Sequence, residues 1–277
     1  MTPQPRKQFA QHWLRHPPTL DRIITAAQIG LGDRILEIGP GTGVLTTRLI
    51  QGAEAVVGVE IDRDLCQSLT QKFAAAENFL LLQGDILTLD LANQLADFPR
   101  FWPPNKVVAN IPYNITGPIL EQLLGTISTP RPDPFELIVL LVQKEVAQRL
   151  VAQSGSRAFG ALSVRVQYRA NCEWICDVPA RCFQPPPKVD SAVIRLCPRP
   201  QQPPAENPRY LETLVKLGFS SKRKMLRNNL KSVMERQDLT QTLEQLEINP
   251  QVRAEDLSIE QWIDLSNRLE QKCDLIL

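Results

Sequence analysis

The densest chemistry in the sequence is the run Asn110-Ile111-Pro112-Tyr113, directly after the short apolar stretch Lys106–Asn110. The Asn110 amide oxygen and the Ile111 backbone carbonyl are two hydrogen-bond acceptors. Pro112 locks its own φ and so fixes the turn that holds that carbonyl. The exocyclic amino nitrogen of adenine is a poor nucleophile because its lone pair is delocalised into the ring. Accepting its two N–H bonds would localise that lone pair toward an electrophilic methyl group. Tyr113 offers a face on which an extruded base can stack. No general base is needed, since the methylated amine is acidic enough to lose its proton to water. Catalysis is then positioning and electrostatics. A strand-ending turn with a buried tyrosine explains any one of these residues, but not the four together.

Three earlier strand ends supply what a nucleoside-bearing methyl donor needs. Residues 34–43 (RILEIGPGTG) read as a strand, a glycine-rich turn and a helix starting near Val44. Gly39 and Gly41 let the backbone approach a ligand at the carboxyl ends of parallel strands. A dinucleotide fingerprint would place glycine or alanine where Val44 stands. Glu37 before the turn and Pro40 within it suit a methyltransferase better. Glu60 ends the next strand, where an acid can accept both ribose hydroxyls. Asp85 follows the third strand, beside the amide of Ile86, and can pair with an adenine edge. The plainer reading of Glu60 and Asp85 is helix capping, but glycine, Glu and Asp at three successive strand ends exceed what capping explains.

These residues need a sheet to hold them. Residues 34–38, 55–60, 79–83, 106–110 and 136–142 are short, Val/Ile/Leu-rich and separated by helical patterns, which predicts a parallel α/β sheet. Two later strands, 173–178 and 192–196, are expected to close it. Residues 198–208 carry five prolines and no apolar periodicity, and read as a linker. Beyond it, residues 210–217, 222–234, 239–246 and 259–272 read as helices. The expected division is a catalytic domain over 1–198, a linker over 199–208 and a small all-α domain over 209–277. Residues 95–104 (LADFPRFWPP), with Phe98, Phe101 and Trp102 in a proline-broken stretch, read equally as a hydrophobic lid or a packed loop.

At 277 residues, 43% hydrophobic and 22% charged, the chain has the composition of an ordinary globular protein. No run approaches the roughly 18 apolar residues of a membrane span, and the polar N-terminus lacks a signal core, so a cytoplasmic location is expected. Six cysteines without a C-x2-C pair, and histidines only at His12 and His16, argue against a metal site. The cysteines are expected to be reduced. A net charge of +1 argues against general polyanion binding. Six basic residues nevertheless cluster between Lys216 and Lys231, and no acid occurs between Thr213 and Met234. On one helix Arg223, Arg227 and Lys231 would form a cationic stripe, with Leu226 and Leu230 on an apolar one.

Over nearly its whole length the chain resembles the bacterial small-subunit rRNA adenine N6,N6-dimethyltransferases, the kasugamycin-sensitivity enzymes. The resemblance rests on Lys7-Gln8-Phe9-Ala10-Gln11-His12-Trp13-Leu14, on the segments 37–43, 59–62, 83–86 and 110–116, and on Phe183-Gln184-Pro185-Pro186-Pro187-Lys188-Val189-Asp190-Ser191-Ala192-Val193. Phe219-Ser220-Ser221-Lys222-Arg223-Lys224, with Leu226-Arg227-Asn228, resembles the family's RNA-facing helix. It implies a Rossmann-like S-adenosylmethionine-dependent methyltransferase domain with a small C-terminal helical domain. It also implies four methyl transfers, two onto each of two adjacent adenines in the 3′-terminal hairpin of 16S rRNA. The substrate would be an assembling small subunit and the enzyme a monomer needing no metal.

By carry-over, His12, Leu14, Gly39, Glu60, Asp85 and Asn110 contact the cofactor, and Gly41, Ile61 and Ile86 belong to the same motifs. Tyr113 and Phe183 sandwich the target base, with Asn110 and Pro112 completing the catalytic set. Lys222, Arg223, Lys224 and Arg227 meet RNA. The chain departs from the family at Ala10-Gln11-His12-Trp13-Leu14, where Gly-Gln-Asn-Phe-Leu is usual; His12 can donate to the cofactor's carboxylate through a different geometry. The rivals are a large-subunit adenine methyltransferase of the macrolide-resistance type, which the proline-rich signature disfavours, and a non-catalytic assembly protein on the same fold.

Overall fold

The computed structural model describes Arg6 and residues 11–274, so residues 7–10 of the first motif lie outside the described residues. The chain divides into two units, the first made of residues 1–123, 133–147 and 172–198 and the second of 124–132, 148–171 and 199–277.

Among the described residues the first unit holds β1 (Trp13–Leu14), β2 (Arg34–Ile38), β3 (Ala55–Glu60), β4 (Phe79–Gln83), β5 (Lys106–Asn110), β6 (Leu137–Gln143), most of β7 (Ala170–Val178), β8 (Phe183–Gln184) and β9 (Ser191–Pro198). Seven of them form a sheet in the order β4-β3-β2-β5-β6-β9-β7, and β1 pairs with β8. β4, β3, β2, β5 and β6 run parallel, and β9 returns antiparallel to β6 from Ile138↔Leu196 to Gln143↔Ser191. Parallel strands covered on both faces read as continuous apolar runs. β3 is buried at every position and β6 at all but its last. Helices α1 (Pro17–Ala27), α2 (Val44–Gly52) and α3 (Arg63–Lys72) lie between the early strands. The chain steps outward from β2 to β4, then returns to place β5 on the other side of β2. The crevice at that reversal, at the strands' carboxyl ends, is where such sheets bind ligands.

The segment 95–104 is a packed loop, not a lid. After the short α4 (Leu91–Gln94) it buries Leu95 and Phe101 and leaves Phe98 43% exposed. The Arg100 guanidinium donates to the carbonyls of Glu54 and Glu77, which precede β3 and β4. The segment therefore sits at the strands' amino ends, away from the crevice.

Helices α5 (Thr116–Leu124) and α6 (Lys144–Val151) lead toward the second unit, whose own helices are α7 (Ala161–Gln167), α8 (Pro208–Gly218), α9 (Leu226–Asn229), α10 (Arg236–Gln245) and α11 (Ile259–Asp274). Its core gathers Leu211, Leu214, Leu226, Leu230 and Leu243 around a fully buried Trp262. A single cut at the proline-rich stretch does not describe this division. Ile127, Ala152, Phe159, Val164 and Tyr168, from earlier in the chain, belong to the same core. Thr126 Oγ1 and the Ser128 N–H each donate to Glu212 at 3.0 Å, tying residues 124–132 to α8.

Residues 199–208 are a packed segment rather than a free linker. The Ala205 N–H donates to the Tyr168 hydroxyl at 3.2 Å, the Arg199 N–H donates to the Arg169 carbonyl at 2.8 Å, and Gln201 is buried. No continuous helix spans 222–234. Only Leu226–Asn229 is helical, and Lys222, Arg223 and Lys224 occupy an exposed turn before it. The Asn229 amide donates to the carbonyls of Gly218 and Ser221, and the Leu226 N–H donates to the Val252 carbonyl at 2.8 Å. Those bonds hold the turn in a shape that a helix could not supply.

Among the described residues no helix is long and apolar enough to cross a membrane, and no group of three or more His, Cys, Asp or Glu side chains is arranged to hold a metal. Cys66, Cys172, Cys176, Cys182 and Cys197 are unbridged.

Candidate active site

The carboxyl ends of β4, β3, β2 and β5 deliver Asp85–Ile86, Glu60–Ile61, Gly39–Gly41 and Asn110–Tyr113 to one cavity, with His12 and Trp13 closing it. Its empty volume, mouth included, is about 700 Å³, within the size range of small-molecule sites. Ten of the expected residues meet here: His12, Gly39, Gly41, Glu60, Ile61, Asp85, Ile86, Asn110, Pro112 and Tyr113.

Gly39 and Gly41 have φ of +66° and +61°, left-handed values that side chains resist. A Cβ on Gly41 would stand 3.0 Å from the Trp13 ring, so the turn and the indole leave each other no spare room. The Gly41 N–H donates to Glu60 Oε2 at 3.0 Å, and the Asp62 N–H donates to Oε1 at 3.0 Å. Glu60 is 4% exposed, and burial raises its pKa against those two bonds. A further backbone hydrogen bond comes from Ile61, and the carboxylate keeps acceptor capacity for a ligand hydroxyl. Capping is not its role: Asp62 caps α3 by accepting from the Asp64 N–H. Asp85 does hold a turn, accepting from the Leu87 N–H at 3.0 Å through Oδ1, with its second oxygen making no such bond.

Asn110 Nδ2 donates to the His12 carbonyl at 3.0 Å. That contact orients the amide, engaging its nitrogen with the protein and leaving Oδ1 as an acceptor on a residue that lines the cavity. The Tyr113 hydroxyl is 2.6 Å from Ser191 Oγ at the start of β9, and its pKa is raised by burial. The Tyr113 ring stacks on His12 with centroids 5.8 Å apart and planes 23° from parallel. His12 and Tyr113 also line a second, more open cavity of about 1480 Å³, walled by Asn114, Gln143 and Pro185–Val189. An inner chamber and an outer one thus share an aromatic waist.

Two expectations need correcting, and a third is narrowed. Phe183 does not face the cavity: it is 4% exposed and packed in the core with Leu14, Cys182 and Val193, because its backbone pairs with β1. The ring positioned opposite Tyr113 is His12. Leu14 is likewise a core residue, absent from the lining of the main cavity, and it lines a smaller chamber behind the glycine turn. His12 Nδ1 lies 2.9 Å from the Pro185 carbonyl, an acceptor only, so that nitrogen carries the proton. Any donation from His12 to a cofactor carboxylate would therefore come from Nε2. Of the basic set, Lys222, Arg223 and Lys224 are exposed, whereas Arg227 is half-buried.

Sequence reasoning missed three residues. Trp13 places its indole against Gly41, Ser191 anchors Tyr113, and Thr46 donates to Glu37 Oε2 at 2.7 Å. Trp13 and Ser191 both sit inside runs already notable for their composition; Thr46 carries no such signal. Glu37 is fully buried in the wall of the smaller chamber, and burial pushes its carboxyl up to about 8.

Residues 3–271 match the family model described as ribosomal RNA adenine dimethylase. A ribosomal RNA small subunit methyltransferase A from Trichormus variabilis is 66% identical over 266 residues, covering 96% of this chain and 98% of that protein. Among solved structures, a dimethyladenosine transferase from Plasmodium falciparum is 27% identical with a TM-score of 0.78, covering 95% of this chain and 98% of that one. The 23S rRNA methyltransferase ErmE is 28% identical with a TM-score of 0.70, covering 94% of this chain and 100% of that one.

Proposed function

The chain belongs to the ribosomal RNA adenine dimethylase family, and on that premise we propose that it uses S-adenosylmethionine to dimethylate the N6 amino groups of two adjacent adenines in the 3′-terminal hairpin of 16S rRNA, within the assembling small subunit. The observation that carries the reading is the Asn110 amide, held by the His12 carbonyl so that its oxygen remains an acceptor at the reversal point of the sheet.

The residues fit the cofactor: a glycine cradle beside a buried donor, a buried carboxylate with acceptor capacity at the next strand end, and an acid at the third. Bound there, S-adenosylmethionine supplies an electrophilic methyl. Glu60 accepts from the ribose hydroxyls, and Asp85 with Ile86 takes the adenine edge. The target adenine enters through the outer cavity and stacks at Tyr113, whose ring is steadied by Ser191. Asn110 Oδ1 and the Ile111 carbonyl accept the two N6–H bonds and turn the lone pair toward the methyl, while Pro112 keeps the Ile111 carbonyl in place. The amine proton then passes to water. Lys222, Arg223 and Lys224 are the exposed cations suited to RNA phosphate.

Mapping tritiated methyl groups on undermethylated small subunits tests this. Two labels on each of two adjacent adenines of the 3′ hairpin are expected. Label confined to large-subunit RNA, or none with native protein, would overturn it.

A further inference from the structure

Trp13 carries a polar atom that the fold leaves unused. Its side chain is 8% exposed, and its Nε1–H is buried with no hydrogen-bond partner among the described residues. Buried donors are almost always paired, and an orphan of this kind needs an explanation. The residue borders the cofactor cavity: a Cβ on Gly41 would be 3.2 Å from Nε1, and Trp13 lines both the main cavity and the smaller chamber behind the glycine turn, while Nε1 itself is closed off, so a ligand atom reaches it as the indole shifts toward the cavity.

The strand order says which part of a ligand passes this point, on the proposed reading that the cavity holds S-adenosylmethionine. With the adenine at Asp85 on β4 and the ribose at Glu60 on β3, the remaining amino-acid end lies over β2 and β5, at Gly39, Gly41 and Asn110. An indole N–H only donates. The ammonium of that end also only donates, so the group complementary to Trp13 is the carboxylate. His12, the other candidate donor, commits its Nδ1 proton to the Pro185 carbonyl.

We infer that the Trp13 Nε1–H donates a hydrogen bond to the carboxylate of bound S-adenosylmethionine, making Trp13 a cofactor-binding residue. The donor waits unsatisfied in the ligand-free fold and is satisfied only on binding.

Trp13→Phe removes the donor and keeps an aromatic ring against Gly41. Calorimetry should show S-adenosylhomocysteine binding weakened by about tenfold to a hundredfold, the range of a hydrogen bond to a charged group. Binding of 5′-methylthioadenosine, which lacks the carboxylate, should be unchanged. The unfolding midpoint should hold or rise, since a desolvated donor has gone. Should it fall instead, 3-benzothienylalanine at position 13, which keeps the bicyclic ring without an N–H, carries the same comparison. Equal losses for both ligands would make Trp13 a packing residue, and no loss for either would mean that water satisfies the indole; each result overturns the inference. If native protein binds neither ligand, the cofactor reading itself fails. Normal native binding matched by the variant sinks the inference alone.

Discussion

Asn110 answers to two masters, donating to the His12 carbonyl through Nδ2 while offering Oδ1 to the substrate. Asn110→Ala should raise the barrier to turnover by roughly 2.7–4 kcal/mol, the scale set by removing one positioned group at a reacting centre, and change cofactor affinity far less. Single-turnover methylation beside calorimetry separates the two, and near-normal turnover would refute the assigned role.

Glu37 makes a different statement at the same scale. The fold holds its carboxyl protonated to about pH 8, chiefly by burial, whereas its ordinary value is 4.5. Between those values the folded state holds a proton that the unfolded chain has released. The stability this provides is complete below about 4.5 and is lost as pH rises through about 8. Glu37→Gln should therefore flatten the decline of stability across that window. A smaller slope should survive from Glu60, whose pKa burial also raises. Urea unfolding of both proteins across and above the window reads it; parallel curves would show that Glu37 is charged in the fold.

Among the elements, the turn at 221–224 depends on a side chain more than on backbone periodicity. Asn229 reaches back from α9 to the Gly218 and Ser221 carbonyls, and Leu226 and Leu230 on either side of it are buried. Asn229→Ala removes both bonds and should destabilise the chain by roughly 1–3 kcal/mol, the cost of leaving part-buried carbonyls unpaired. Denaturant unfolding should show this as a lower midpoint at unchanged slope. An unaltered midpoint would mean that water replaces the amide.

For the molecule as a whole, the net charge of +1 makes RNA affinity a matter of where the cations stand. Lys222, Arg223 and Lys224 are exposed, while Arg227 is half-buried with its Nε unpartnered. Replacing the first three with alanine should flatten the log-affinity against log-salt slope for small-subunit binding by up to roughly 0.7–0.9 for each phosphate that their charges neutralise. Arg227→Ala should leave that slope nearly alone and act on stability instead. A triple variant with the native slope would move the RNA footprint elsewhere, and Arg15 and Arg181, both exposed and lining one shallow cavity of the first unit, would be next to test.

What the sequence determined by itself is local. The parallel strands are legible because strands buried on both faces must be apolar throughout. The glycine turn, Glu60, Asp85 and Asn110–Tyr113 are legible because each sits where its strand ends, and they do share one cavity. The tertiary structure decided everything that joins distant residues. Asn110 meets the carbonyl of His12 across 98 positions, Tyr113 meets Ser191 across 78, and His12 meets Pro185 across 173. Phe183 is core because two residues of pairing with β1 set its facing. The four-residue spacing of Leu226 and Leu230 suggests a long helix, but the spacing registers only that both are buried. Whether the backbone between and around them is helical is settled by the Asn229 and Val252 contacts. Periodicity is a property of a segment, whereas hydrogen-bond satisfaction belongs to the folded whole. For that reason the orphan indole of Trp13 is invisible until its surroundings are known.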